Sequence, residues 1–146
     1  LNRTSISKSS LCPVNLERAM KADGRFGGHI VSGHIDCCAK FLSVRKDVNS
    51  FIIKIQVPKT FAKFIIEKGS VAIDGISLTV ASIGYSQSEC VFTAAVIPHT
   101  WENTNLKFKR TGTFVNIECD LIGKYIAHFA AKKIGEENGI QSFWQC

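Results

Sequence analysis

Ser77 and Thr79 are the first candidates for chemistry in this chain, because their spacing places two hydroxyl groups on one side of a predicted strand. They alternate with apolar residues within residues 69–80, the period-2 pattern of a strand with one buried and one polar face. The preceding Asp74-Gly75 pair predicts a tight turn. Two hydroxyls can hydrogen-bond a polar ligand, but a solvent-wetted barrel face has the same pattern. The local sequence therefore leaves both interpretations open.

A glycine-rich apolar segment, residues 27–35, carries two histidines. Glycines in a β-prone run mark a bulge or a close approach of another group to the backbone, and a ligand is one such group. His29 and His34 are weak candidates for a metal site with the Cys37-Cys38 pair, because an extended segment places side chains five residues apart on opposite faces. His34 is better explained as a polar group of a ligand pocket. An exposed or hydrogen-bonded structural histidine fits its local sequence equally well.

Residues 97–104 are the third candidate segment. Pro98 fixes its own φ and lacks an N–H donor, and the Thr and Asn residues after it favour the cap of a turn or a short helix. Backbone N–H groups left unpaired there could hold a heterocycle. A strand-to-helix corner with Trp101 packed as an anchor is the alternative. Asp74 and Asp120 are described by their local sequence only as turn carboxylates.

Short strands must position these candidates, since Pro is scarce while Gly, Val, Ile, Thr and Phe are frequent. Strand patterns separated by turn residues predict a mainly β fold, a small closed barrel. They cover residues 39–44, 51–57, 71–73, 76–83, 89–97 and 113–120. A short helix is predicted over residues 61–68. Apolar residues three and four apart predict an amphipathic helix over residues 121–137, capped by Gly139, and its apolar face must pack on the barrel or on copies of itself.

Composition bounds the class of protein. The 146 residues are 45% hydrophobic, enough for one domain with a core and little more. The net charge of +6 is dispersed over the chain, so a nucleic-acid partner is not indicated. No apolar run approaches the ~18 residues of a membrane helix. The six cysteines lack a disulfide pattern and a secretory segment, so we expect a cytoplasmic protein with reduced thiols.

A sequence repeat links the two ends of the chain. Residues 3–6 and 14–17 (Arg-Thr-Ser-Ile and Val-Asn-Leu-Glu) correspond, with one insertion, to residues 103–106 and 115–118 (Asn-Thr-Asn-Leu and Val-Asn-Ile-Glu), about 100 residues further on. We therefore expect a duplicated protein. On this interpretation residues 1–20 are the tail of a mostly missing first barrel and the start of a linker. Residues 21–120 are the second barrel, and residues 121–146 are an oligomerisation helix and tail.

Five motifs in the same order and spacing resemble the riboflavin synthase family. They are residues 14–19, residues 27–34, Gly69 with residues 73–80, residues 97–100 and residues 115–118. The resemblance covers nearly the whole chain. It implies two similar six-stranded Greek-key barrels and a C-terminal helix through which three subunits associate, with this chain as the second barrel and that helix.

The resemblance also implies the chemistry. The family dismutates two molecules of 6,7-dimethyl-8-ribityllumazine to riboflavin and 5-amino-6-ribitylaminopyrimidinedione, without a metal or organic cofactor, in a site between the first barrel of one subunit and the second barrel of another. His34 and Asp120 become candidates for catalysis, while the general base and the nucleophile are not placed. The implied substrate contacts are Gly33, His34, Ile35, Lys68, Ser77, Thr79, Ile97, Pro98, His99, Thr100, Trp101 and Glu102.

One departure and one alternative stand beside this interpretation. Cys37-Cys38 follows the Gly-His-Ile-Asp segment where many relatives have Gly, which would alter the turn beside the pocket. The lumazine proteins of luminous bacteria share the implied fold and bind a lumazine or flavin without turning it over. A non-catalytic lumazine-binding or flavin-binding protein is therefore the alternative function.

Overall fold

The computed structural model describes residues 4–5, 13–86 and 89–137. Within these residues six strands and two α-helices follow one another, with 3-10 helices at Lys59–Phe64 and Asn105–Phe108. The strands are β1 (Cys37–Lys46), β2 (Phe51–Pro58), β3 (Ser70–Ile73), β4 (Ile76–Tyr85), β5 (Glu89–Val96) and β6 (Phe114–Cys119). The α-helices are α1 (Pro98–Asn103) and α2 (Leu121–Glu137).

The strands close into one antiparallel barrel in the order β1-β2-β5-β4-β3-β6. β3, β4 and β5 are consecutive hairpin neighbours. A longer connection leads from β2 to β3, so that β2 lies beside β5, which is a Greek-key arrangement. Closure leaves no unpaired sheet edge. The predicted mainly β barrel is confirmed, with six strands.

Alternating residues of the strands fill the barrel. Phe41, Ile53, Phe92 and Ile117 are fully buried, as is Val80 on β4. β1, β2, β4 and β5 show the period-2 pattern of buried and more exposed positions that the sequence predicts. Burial of these large apolar side chains, at about 25 cal/mol per Å² of apolar surface, is the main force that holds the barrel.

The predicted turn at Asp74-Gly75 joins β3 to β4. Ile73 and Ile76 pair across it, so the loop has two residues. Asp74 and Gly75 both have positive φ, 49° and 84°. Positive φ at both central positions is the geometry of a type I′ hairpin turn, which matches the twist of the flanking strands.

The short helix predicted over residues 61–68 is present, but its bounds differ from the prediction. A 3-10 helix covers Lys59–Phe64, and the Ile65 N–H donates to the Ala62 carbonyl as the chain becomes extended. Ile65 is buried in the barrel core. Burial of Ile65 in the core takes the chain out of the helical path, so tertiary packing overrides the helical spacing of the apolar residues.

The C-terminal helix α2 has the predicted bounds, while Gly139 lies outside the described residues. Its first turn approaches the 3-10 helix Lys59–Phe64, where Gly123 faces the Phe64 carbonyl. Beyond this contact its apolar side chains remain exposed, among them Ile122, Ile126 and Phe129. In the described part of the chain, the barrel does not cover the apolar face of α2.

Candidate functional site

A row of three residues crosses the outer face of the barrel. Ser77 on β4 lies opposite Ala72 on β3, and Ala72 lies opposite Glu118 on β6. Directly paired residues of antiparallel strands project to the same face of the sheet. Leu78 and Val80 are buried in the barrel core, so the face that Ser77 shares is the outer one. Ser77, Ala72 and Glu118 therefore form a platform on the outside of β4, β3 and β6.

Residues 28–34, here called the covering segment, lie over this platform. A Cβ atom on Gly28 would lie 2.4 Å from the Ser77 Oγ, so only glycine allows the backbone to come so near. The next residue, His29, donates its N–H to the Ser77 Oγ (3.2 Å), and its Nδ1 lies 2.7 Å from the same oxygen. The close approach predicted from the glycines is real, and its cause is the Ser77 side chain.

Glu118 holds the other end of the covering segment. Its Oε1 accepts hydrogen bonds from the Ser32 N–H and the Ser32 hydroxyl, both at 2.7 Å, and its Oε2 accepts one from the Gly33 N–H at 2.9 Å. Gly33 has a φ of 80°, a conformation that glycine adopts without strain. Glu118 is only 3% exposed, although it projects from the outer face. The covering segment therefore buries this carboxylate and supplies these three hydrogen-bond donors.

His34 follows directly and is exposed. Its Nδ1 lies 3.1 Å from the Ser32 Oγ. Ile35 is half-buried beside it. The structure thus places Gly33, His34 and Ile35 beside the Glu118 end of the platform. Ser77 lies at the other end, two strands away.

Thr79 lies two residues beyond Ser77 on β4, and Lys68 lies just before β3, next to this part of β4. The Lys68 N–H donates to the Val80 carbonyl, and Lys68 has a positive φ of 64°. Thr79 pairs with Ser70 across the β3–β4 ladder. Both Lys68 and Thr79 have exposed side chains, so an ammonium group and a hydroxyl are available to a ligand beside the platform.

Helix α1 follows β5, the neighbour of β4 on the side away from β3. Val80 pairs with Ala94 in antiparallel register, so the chain that leaves β5 at Ile97 runs beside the start of β4. Pro98 occupies the first turn of α1, where its missing N–H costs nothing. Ile97, Pro98, His99 and Glu102 are exposed, and Thr100 is half-buried.

Trp101 is the residue of α1 that faces the barrel. Its ring stacks on Phe51 of β2, with ring centroids 4.5 Å apart and an interplanar angle of 12°. It packs against the core cluster and is half-buried. This geometry is that of the anchor considered for residues 97–104, and it fixes α1 against the start of β2. The residues of α1 that are accessible to a ligand therefore include the exposed Pro98, His99 and Glu102.

Asp120 lies apart from the covering segment. Its Oδ1 accepts a hydrogen bond from the Ile122 N–H at 2.9 Å, the bond that an N-cap side chain makes at the start of a helix. Its carbonyl accepts the Lys124 N–H. Asp120 is half-buried. The structure gives it a role in starting α2, and its predicted part in catalysis stays a prediction.

Asp36 joins α2 to the end of the covering segment. Its carboxylate pairs with the Lys124 ammonium group (2.7 Å) and accepts the Cys119 N–H at 2.7 Å. Burial raises the pKa of the Cys37 and Cys119 thiols from 9.0 to about 12, and the charge of Asp36 adds to both shifts. These thiols stay protonated at neutral pH and are not nucleophiles there.

Glu118 and Asp36 were missed as site residues. Glu118 had a signal in the sequence: a charged residue stands between Ile117 and Cys119 in an apolar strand, where burial demands compensating donors. Asp36 had none, because its partners are more than 80 residues away.

Neither a metal site nor a membrane-spanning helix is found in residues 4–5, 13–86 and 89–137. No group of three His, Cys, Asp or Glu side chains there could hold a metal ion, and the His29 ring instead faces Ser77. No helix among them is long and apolar enough to cross a membrane.

Comparison with known proteins bears on both the fold and the site. A relative named riboflavin synthase from Actinobacillus pleuropneumoniae is 48% identical over 138 residues, covering 94% of this chain and 62% of the relative. Riboflavin synthases from Bacillus amyloliquefaciens and Meyerozyma guilliermondii are 43% and 46% identical, covering 87% and 77% of this chain and 56% and 47% of the relatives. The chain thus spans about half to three-fifths of the length of these relatives.

Two solved structures share the fold. Crystal structures of LumP complexed with 6,7-dimethyl-8-(1'-D-ribityl) lumazine and with riboflavin match with TM-scores of 0.62 and 0.63, at 18% and 21% identity. Each match covers 81% of this chain, and 61% and 62% of the LumP chains respectively. At this identity the likeness concerns the barrel alone.

The model of one protein family, described as the lumazine binding domain, matches residues 32–120. The match begins at Ser32 in the covering segment and ends at Asp120, so it contains all six strands of the barrel and the platform. This chain therefore belongs to the lumazine-binding domain family.

Proposed function

We propose that the complete protein is a riboflavin synthase, and that this barrel supplies one wall of its active site. The reaction converts two molecules of 6,7-dimethyl-8-ribityllumazine to riboflavin and 5-amino-6-ribitylaminopyrimidinedione. The observation that carries the proposal is the 48% identity over 94% of this chain to a riboflavin synthase. A cytoplasmic location belongs to the same proposal.

The outer face of β4 gives this proposal a physical form. A flat heterocycle lying between the covering segment and α1 would find the Thr79 hydroxyl, the Lys68 ammonium group and the exposed residues from Ile97 to Glu102. Ser77 is half-buried and already bonded to His29, so we assign it to the support of the site as well as to its surface. Lys68 favours an anionic ring at this position.

Orientation supplies much of the catalysis in this proposal. Holding two large rings face to face provides effective concentrations of ~10⁵ M or more, so the reaction needs no cofactor for that part of the acceleration. His34, exposed beside the platform, is the candidate for moving a proton at the bound ring. Asp120 is the second polar candidate, at the start of α2.

A pair of matching hydrogen bonds supports the proposed duplication. The Asn105 N–H donates to the Asn15 Oδ1 at 2.8 Å, and the Ser5 N–H donates to the Asn116 Oδ1 at 2.6 Å. In the sequence repeat, Ser5 corresponds to Asn105 and Asn15 to Asn116. The two bonds are therefore the same bond made in both directions, as two copies related by an approximate two-fold axis would make it. Residues 1–20 thus fit the tail of an upstream barrel that pairs with residues 21–120.

Helix α2 supports the proposed homotrimer. Ile122, Tyr125, Ile126 and Phe129 are exposed along it. A groove of about 280 Å³ beside them is lined by Leu121, Lys124, Tyr125 and His128. An apolar helix face of this kind is stable in water when copies of it pack together.

Turnover by the complete protein tests the proposal. Purified protein mixed with 6,7-dimethyl-8-ribityllumazine is expected to bleach the lumazine absorbance and to generate flavin fluorescence. Binding without turnover would support the alternative, a non-catalytic lumazine-binding or flavin-binding protein.

Thr79→Val removes the exposed hydroxyl at nearly constant volume and is expected to raise KM several-fold, because one hydrogen bond to the ring is lost. Thr60→Val, at an exposed position of the 3-10 helix Lys59–Phe64, is the matched control.

A further inference from the structure

We propose that Glu118, acting through the Ser32 hydroxyl, places the ring proton of His34 on Nδ1 and so presents Nε2 as a proton acceptor. This assignment rests on the proposed function, in which His34 faces the ligand. It makes Glu118 and Ser32 positioning residues for His34.

The direction of the hydrogen bonds carries the proposal. The ionised Glu118 carboxylate has no proton to give, so the Ser32 hydroxyl must donate to its Oε1, 2.7 Å away. With its only proton engaged, the Ser32 Oγ can offer just a lone pair to the His34 Nδ1 at 3.1 Å. The bond between them therefore requires a proton on Nδ1. A neutral imidazole with its proton on Nδ1 has an unprotonated Nε2.

The surroundings of Glu118 make this direction stable. Two further donors, the Ser32 and Gly33 N–H groups, point at the same carboxylate, and Glu118 is almost fully buried. Three donors and no competing acceptor face it, which matches an ionised carboxylate. Hydrogen bonds to an ionised carboxylate are stronger than those between neutral groups. The Ser32 hydroxyl is consequently held in one orientation.

His29 is an internal reference for this argument. Its Nδ1 also meets a serine hydroxyl, the Ser77 Oγ at 2.7 Å, but no carboxylate is bonded to that serine, and the His29 Nε2 is buried without a hydrogen-bond partner among the described residues. Ser77 therefore has a hydroxyl proton to give to the ring. Both histidines contact a serine hydroxyl through Nδ1, but only the serine that contacts His34 also donates to a carboxylate.

Nuclear magnetic resonance of the complete protein, labelled with ¹⁵N at histidine, tests the tautomer directly. The ¹⁵N shifts of the two ring nitrogens distinguish a proton on Nδ1 from one on Nε2, and His34→Gln assigns the signals. We expect wild-type His34 to carry its proton on Nδ1, at a pH where the ring is neutral. A His34 ring with its proton on Nε2 would overturn the proposal.

Two serine variants form the matched pair for that measurement. Ser32→Ala keeps both backbone bonds to Glu118 and removes only the relay hydroxyl, so the His34 shifts are expected to move toward those of a histidine in water while the His29 shifts stay. Ser77→Ala is expected to do the reverse. If the His34 shifts do not respond to Ser32→Ala, the relay does not exist.

A kinetic cycle separates positioning from general structural damage. We expect Ser32→Ala to lower kcat about tenfold with KM changed less than about twofold, within the range of proton-transfer catalysis. In a His34→Ala background, Ser32→Ala is expected to have no further effect on kcat, because both substitutions remove the same contribution. Equal losses in both backgrounds would contradict the proposal. If wild-type protein binds the lumazine but does not turn it over, the proposed function fails, while the tautomer measurement still decides the relay.

Discussion

The same four-residue pattern lies in two environments in this molecule. Val115 and Ile117 of the pattern Val-Asn-Ile-Glu are fully buried within β6, whereas Val14 and Leu16 of the pattern Val-Asn-Leu-Glu are 60% and 91% exposed. Glu118 is buried beneath the covering segment, and its counterpart Glu17 is exposed.

The difference lies in the partners rather than in the pattern. Residues 115–118 pair with β1 on one side and with β3 on the other. Residues 14–17 form neither a helix nor a strand, and in the described part of the chain no strand pairs with them. A β-prone sequence becomes a strand only when neighbouring strands take its backbone hydrogen bonds and cover its apolar face. Only the asparagines behave alike, because each receives an N–H from the other repeat.

The largest expected effect is the difference in stability loss between substitutions at Ile117 and at Leu16, the third residues of the two patterns. Ile117→Ala should lower the free energy of unfolding by about 2–5 kcal/mol, because it leaves a cavity in the core. Leu16→Ala should change it by less than about 0.5 kcal/mol, as for an exposed residue. Urea unfolding of the 146-residue chain followed by circular dichroism measures both. Equal losses would mean that residue 16 is packed, and a loss at Leu16 that appears only in the complete protein would sharpen the case for an upstream barrel.

The two glutamates should differ next. Glu118→Ala removes the charged acceptor of three hydrogen bonds and leaves the Ser32 and Gly33 N–H groups without that partner, so we expect a loss of about 2–3 kcal/mol. Glu17→Ala, at an exposed position, should cost less than about 0.5 kcal/mol. The same urea measurement applies. Faster hydrogen exchange at the Ser32 and Gly33 amides in Glu118→Ala alone would identify the covering segment as the part released.

The two asparagines should behave alike, unlike the other pairs. Asn15→Ala and Asn116→Ala each remove an acceptor of an N–H from the other repeat, and the loss of that bond should cost about 1 kcal/mol in each. Asn15→Ala also removes the bonds that its Nδ2 donates to the Asp74 carbonyl and the Asn105 Oδ1, so its loss should be the larger. Thermal unfolding of both variants, beside an exposed-residue control such as Lys21→Ala, measures this. A clear loss from one asparagine only would break the equivalence that the repeat predicts.

The smallest expected effect near neutral pH concerns the position after each pattern, Cys119 and Arg18. Between pH 9.0 and about 12 the unfolded state loses the Cys119 proton while the folded state keeps it. The unfolded state then binds fewer protons, so this thiol lowers the free energy of unfolding as pH rises through that window and has no effect below it. Cys119→Ala should reduce that slope in urea titrations at several pH values, and an unchanged slope would contradict the burial of the thiol.

Alkylation gives the matching contrast. Iodoacetamide at pH 8, followed by peptide mass mapping, should label a thiol introduced by Arg18→Cys rapidly, because that position is exposed. Cys119 should stay unlabelled until the protein unfolds.

Much of the fold could be predicted because its signals are local. The strand alternation, the turn at Asp74-Gly75 and the helix Leu121–Glu137 each depend on residues within one element. The end of the short helix predicted over residues 61–68 could not, because the burial of Ile65 in the core decides where it ends.

The features of the candidate site likewise fall into those set by local sequence and those set by contacts between distant residues. By itself the sequence determined the strand that presents Ser77 and Thr79, the glycines that permit a close approach, and a family resemblance that the comparisons support. Only the tertiary structure decided which group makes that approach, that Glu118 is buried, and which copy of the repeated pattern forms a strand. The reason is distance along the chain: the bonds from His29 to Ser77 and from Ser32 to Glu118 join residues 48 and 86 positions apart. Contacts of that separation exist only after the barrel has closed.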